Sequence, residues 1–138
     1  MIKEYRNFEI IEKKSYASNF IWELPFDKIK KDILGTDFEC SLNFIDPTLA
    51  QKLNINNRKK DYIPNVLTFP LSENSGEIYI CKAVARTQYK DFNMRYKSFI
   101  TLLFIHGCLH LKGLHHNTLE KEESMVKLEY EYLEKYNR

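Results

Sequence analysis

Apolar residues recur along this chain in two rhythms, four short runs suited to strands and five stretches spaced for helices. Phe8 to Ile11 reads as the first strand. Leu24-Pro25 opens a helix, because proline suits a first helical turn. Phe26, Ile29 and Ile33 then recur at helical spacing until Gly35 stops it. From Phe38 to Ile45 the alternation returns, with Phe38, Cys40, Leu42 and Phe44 on one face. Asp46-Pro47 is a cap followed by a first-turn proline, which predicts a short helix to about Leu53.

The segment Asn54 to Ile63 is polar and basic and reads as a loop. Asn65 to Phe69 is a third strand closed by Pro70, and Gly76 to Cys81 is a fourth. The turn through Ser72, Glu73, Asn74 and Ser75 predicts that these two pair as a hairpin. The remainder is helical: Lys82 to about Phe92, Tyr96 to Lys112, and a last helix reaching about Tyr136. In the second of these, Phe99, Leu102, Leu103 and the run Ile105 to Leu109 leave almost no polar face, as in a buried central helix. Gly113 stops it. Asn117 with Glu120 reads as a capping box, and Met125, Leu128 and Tyr132 as the inner stripe of the last helix. The order βαβαββααα predicts an α/β (α+β) fold. Residues 1–138 form one domain, with a four-stranded mixed sheet, one strand antiparallel, and about five helices.

Composition narrows the class. At 138 residues and 43% hydrophobic, with nine Phe and nine Tyr, the chain can fill a core without disulfides. The three cysteines, Cys40, Cys81 and Cys108, form no C-x-x-C pair, so a disulfide framework is not expected and a reducing cytoplasm is. No segment reads as a signal peptide or a membrane span. A net charge of +2 is too small for nucleic-acid binding by bulk electrostatics. The charge is uneven, however: Arg58, Lys59 and Lys60 make a basic cluster, and Glu120, Glu122 and Glu123 an acidic one.

The chemistry concentrates in one string, His106 to His116, which holds all four histidines. His106 and His110 stand four apart on a helix and project from one face. Gly113 lets the chain turn, so that His116 can return as a third ligand. His115 reads as a neighbour rather than a ligand. Three neutral imidazoles with an open position describe a catalytic zinc site, here at the end of the buried central helix. Such an ion brings the pKa of bound water to near ~7. The spacing H-x3-H-x5-H, with its glycine, equals that of the metzincin proteases. The residue after the first histidine is Gly107, though, where those proteases carry the Glu that serves as general base.

The string also resembles the signature of the YbeY family of bacterial endoribonucleases, close to H-G-x-L-H-L-x-G-[YF]-D-H. It departs at Leu114, where an aromatic is usual, and at His115, where Asp is usual. Asn54 to Pro70 (NINNRKKDYIPNVLTFP) is similar to a second family motif: Arg58, Lys60, Asp61, Asn65, Val66, Leu67, Phe69 and Pro70 keep their places, and Pro64 replaces Thr. GEIYIC from Gly76 resembles a third, with Glu77 for Asp. The resemblance implies a single-strand-specific, zinc-dependent endoribonuclease, acting in 16S rRNA 3′-end maturation and ribosome quality control. It implies single-stranded RNA and the small ribosomal subunit as partners, and one zinc on His106, His110 and His116. It also implies a functional Arg58. Physically, zinc-bound water would attack the phosphodiester. The Arg58 guanidinium would stabilise phosphate charge, with Lys60 as a weaker second cation. Two alternatives stand beside this reading: a metzincin-like hydrolase, and a non-catalytic ribosome-maturation factor with structural zinc.

Overall fold

The structure is a computed structural model that describes residues 2–12, 23–114 and 117–136. Its strands are β1 (Ile2–Tyr5), β2 (Phe8–Glu12), β3 (Glu39–Phe44), β4 (Val66–Ser72) and β5 (Ser75–Ile80). Its helices are α1 (Phe26–Leu34), α2 (Pro47–Arg58), α3 (Lys82–Gln88), α4 (Tyr96–Leu111) and α5 (Leu119–Tyr136). The sheet runs β1-β2-β3-β5-β4. β2, β3 and β5 are parallel, while β1 and β4 are antiparallel edges.

Among the described residues the sheet therefore has five strands, not the expected four. The strand that pattern reading missed is β1, whose residues are mostly exposed, Ile2 included, so no buried face marks it. It returns on β2 through a turn at Arg6 and Asn7. Asn7 takes a left-handed φ of 57° and donates its side-chain N–H to the Thr36 carbonyl at 3.1 Å.

β2, β3 and β5 place their buried side chains on one face, where Phe8, Ile10, Cys40, Leu42, Phe44, Ile78 and Ile80 are all buried. This face is covered by α1 and α4, whose Phe26 and Phe104 rings meet edge-on at 5.0 Å between centroids. As its sequence predicts, α4 is buried almost all round, from Ser98 to Leu109. Each fully buried Leu, Ile or Phe contributes roughly 1.5–3 kcal/mol.

Other boundaries differ from the pattern reading, each for a local reason. Rather than stopping at Leu53, α2 continues to Arg58. Only Ala50 and Asn54 on it are buried, so its second half carries no apolar stripe to announce a helix. Pro70 does not end β4 but lies within it, which an edge strand tolerates, and the register slips between Pro70 and Ser72. After α3 the chain tightens into a 3-10 turn, Tyr89–Phe92. The cap of α5 is Thr118, not Asn117: its Oγ1 accepts the Lys121 N–H at 3.1 Å. The buried stripe of α5 is Met125, Glu129 and Leu133, and Leu128 and Tyr132 pack half-buried beside it.

The far end of α5 is tied down as well. Lys135 Nζ and Tyr136 Oη both donate to Asp32 Oδ2 on α1, at 2.6 and 2.5 Å. No helix among the described residues is long and apolar enough to cross a membrane.

Candidate metal centre

Two of the three expected ligands come from the last turns of α4. His106 and His110 turn their Nε2 atoms toward one another at 3.0 Å, with the rings 70° apart and their centroids 4.5 Å apart. This is what the i,i+4 spacing predicts for two imidazoles on one helical face. Directly beyond His110 the helix stops as Gly113 requires. Gly113 has φ of 104°, its N–H donates to the His110 carbonyl at 2.9 Å, and the Leu114 N–H donates to the Leu109 carbonyl at 3.0 Å. These paired bonds are a Schellman closure, which reverses the chain immediately after the second histidine. His116, the expected third ligand, and His115 lie outside the described residues. Among the described residues no group of three or more His, Cys, Asp or Glu is placed to hold a metal.

A residue that sequence reasoning did not single out completes the arrangement from behind. Glu129, on α5 and only 8% exposed, sets its Oε1 2.6 Å from His106 Nδ1. This short hydrogen bond occupies the ring nitrogen facing away from His110. A signal was available: a carboxylate stands between Met125 and Leu133 at the four-residue spacing of a buried stripe. The inner stripe expected from the sequence, Met125, Leu128 and Tyr132, did not include Glu129.

The cysteines offer no competing ligand set. Cys108 lies on α4 fully buried, and burial pushes its thiol well above the ordinary range. Cys40 is pushed up to about 12 by the same desolvation. Both pack as small hydrophobes.

The basic segment is positioned separately. Arg58 is the last residue of α2 and is exposed, as is Lys60. Among the described residues neither side chain makes a hydrogen bond or ion pair with His106 or His110. What fixes the segment is Asn54. It is fully buried, donates its Nδ2 N–H to the Tyr62 carbonyl at 3.0 Å, and its own carbonyl accepts the Lys60 N–H at 3.4 Å. Lys59 turns the corner with a left-handed φ of 58°. Gln51 donates to Asp61 at 3.0 Å. Asn65, at the foot of β4, donates to Gln88 of α3 at 2.9 Å.

The donors present suit a metal that prefers nitrogen. Two imidazole Nε2 atoms converge, one of them backed by a carboxylate, which is the usual company of a metal-binding histidine.

Comparison with known proteins gives a consistent result. The family described as Endoribonuclease YbeY matches residues 3–137. A Ureaplasma urealyticum protein named Endoribonuclease YbeY is 36% identical over 139 residues, covering 91% of this chain and 88% of its own. A Spiroplasma citri protein of the same name is 34% identical over 134 residues, covering 87% and 84%. The solution structure of TM1509 from Thermotoga maritima superposes with a TM-score of 0.66 at 25% identity, covering 92% of this chain and 87% of that one.

Proposed function

The chain belongs to the YbeY family of endoribonucleases, and from that premise we propose that it is a zinc-dependent hydrolase of single-stranded RNA. On this reading residues 1–138 form one catalytic domain, acting in the cytoplasm on the 3′ end of 16S rRNA and in ribosome quality control. The small ribosomal subunit is its partner.

The observation that carries the metal part is the 3.0 Å approach of His106 Nε2 to His110 Nε2. Two like nitrogen atoms brought so close need something to share, a proton or a cation. His106, His110 and His116 are the residues that would hold zinc. A zinc ion there supplies Lewis acidity beside a phosphate and a source of nucleophilic water at neutral pH.

The chain's own residues do the rest. The Arg58 guanidinium grips the phosphate through two parallel N–H groups and stabilises the negative charge that grows on it during cleavage. Lys60 adds a point charge to hold the strand. Both stand on a segment exposed enough to receive RNA. The protease alternative fares worse. A side chain at position 107 would run into Ile78 of β5, where the sheet leaves no room for a general base.

The test is zinc content measured alongside cleavage of single-stranded and duplex RNA, for the native protein and for His106→Ala, His110→Ala and Arg58→Ala. The histidine variants should lose both zinc and cleavage. Arg58→Ala should keep its zinc and lose about 10²–10³-fold in cleavage rate, as when a charge-stabilising donor is removed. Undiminished cleavage by His110→Ala would refute the proposal.

A further inference from the structure

We infer that Glu129 is the positioning residue that fixes which nitrogen His106 presents, holding the proton on Nδ1 so that Nε2 is the donor offered beside His110. The inference rests on the metal reading above and adds a residue to it.

A histidine on a helix is ambiguous in two ways. Its ring can turn over and offer either nitrogen, and its neutral form exchanges between two tautomers of similar energy. A metal site needs one ring orientation and one tautomer. Something outside the ring must choose both.

Glu129 is placed to choose. Its Oε1 lies 2.6 Å from Nδ1, and as an ionised carboxylate it can only accept. Nδ1 must therefore carry hydrogen, and in the neutral ring the lone pair is on Nε2. That atom is the one 3.0 Å from His110 Nε2. Turning the ring over would take Nδ1 away from Glu129 and leave a carboxylate at 8% exposure without this bond, a costly state.

The carboxylate is itself held firmly. It sits between Met125 and Leu133, both in the core, on a helix capped by Thr118 at one end. At the other end Lys135 and Tyr136 anchor that helix to Asp32. Its position is thus set by packing at several points and not by the histidine alone. A buried carboxylate otherwise adds little to stability, because desolvation offsets the attraction to its partner. Its placement is accounted for by what it does to the ring.

The competing account is that Glu129 merely ties α5 to α4. Three measurements on the full-length protein separate the two: zinc affinity by competition with a chromogenic chelator, melting temperature of the zinc-free protein, and the His106 ring tautomer by long-range ¹H–¹⁵N NMR. Glu129→Leu should weaken zinc binding about 10–100-fold and mix the tautomers. Glu129→Gln keeps an oxygen that accepts from Nδ1–H, so it should keep the tautomer and fall between Leu and native in affinity.

Unchanged zinc affinity with a lowered melting temperature in both variants would overturn the inference. So would a native His106 carrying its proton on Nε2, and that result needs no variant to fold. None of these readouts involves RNA. A protein that binds zinc in this Glu129-dependent way yet cleaves nothing leaves the inference standing and removes the proposed function. If the native protein took up no zinc, the metal reading would fall, and the tautomer would still decide the part assigned to Glu129.

Discussion

A Cβ added to Gly107 would stand 2.9 Å from Cγ2 of Ile78 and 3.0 Å from its Cδ1. Helix α4 therefore crosses β5 at a point with no space for a side chain. In an exposed helix Ala would be favoured over Gly by up to ~1 kcal/mol. Here the crowding, typically ~1–3 kcal/mol for an overfilled core, is larger. Gly107→Ala should lower stability in urea denaturation by on the order of 1–2 kcal/mol. Gly107→Glu, which restores the protease string, should fail to fold stably and gain no peptidase activity. An unchanged midpoint for the Ala variant would mean that α4 can back away from the sheet.

The same crossing shows where the sequence was readable and where it was not. Cys40, Leu42 and Phe44 declare their strand because one face of it is buried, and α4 declares itself by being apolar nearly all round. His106 and His110 are legible because four residues are one helical turn, so local geometry alone brings them together. Exposed β1 and the outer half of α2 give no such signal. Glu129 escaped for another reason. Its partner is 23 residues away, and only the docking angle of α5 decides whether it or Leu128 faces inward. Long-range pairing of that kind is not written in any local pattern.

Asn54 should matter to the basic segment more than to the metal centre. It is fully buried and holds the Tyr62 carbonyl at 3.0 Å, while its own Oδ1 has no hydrogen-bond partner among the described residues. Asn54→Ala removes this bond and the unpartnered Oδ1 together, so its cost should be modest, about 0.5–1.5 kcal/mol. Hydrogen exchange at the Lys60 amide should quicken, and RNA cleavage should drop, with zinc content unchanged. If zinc were lost in step with cleavage, the residue would be supporting the whole fold and not this segment.

Asp32 gives the tie between α1 and α5 a defined pH dependence. Hydrogen bonds from Lys135 and Tyr136 hold its carboxyl below the ordinary value of 3.8. A lowered folded-state pKa means stability that is fully present above the unfolded-state value and is lost as pH falls through the folded-state one. The native protein should therefore melt above Asp32→Asn near neutral pH, by a modest margin, since exposed pairs are weakened by solvent and salt. That margin should close as pH drops below 3.8. A difference that persisted unchanged in strong acid would show that the tie does not depend on the charge of Asp32.

Zinc should also be visible as stability, independently of any reaction. An ion that binds only the folded protein raises its stability by RT ln(1 + [Zn]/Kd), about 2.7 kcal/mol at a hundredfold excess over Kd. His106 and His110 lie in the last turns of α4, and His106 meets Glu129 of α5, so the ion would brace the junction of these two helices. Scanning calorimetry of the native protein should show a melting temperature that climbs with free zinc and falls back on chelation. His110→Ala removes one nitrogen of the converging pair while leaving the His106–Glu129 bond, so its zinc-free melting temperature should stay close to native and its zinc response should be lost. A variant that still gained stability from zinc would place the ion elsewhere on the chain, and the convergence at the end of α4 would then be a hydrogen bond between two histidines and nothing more.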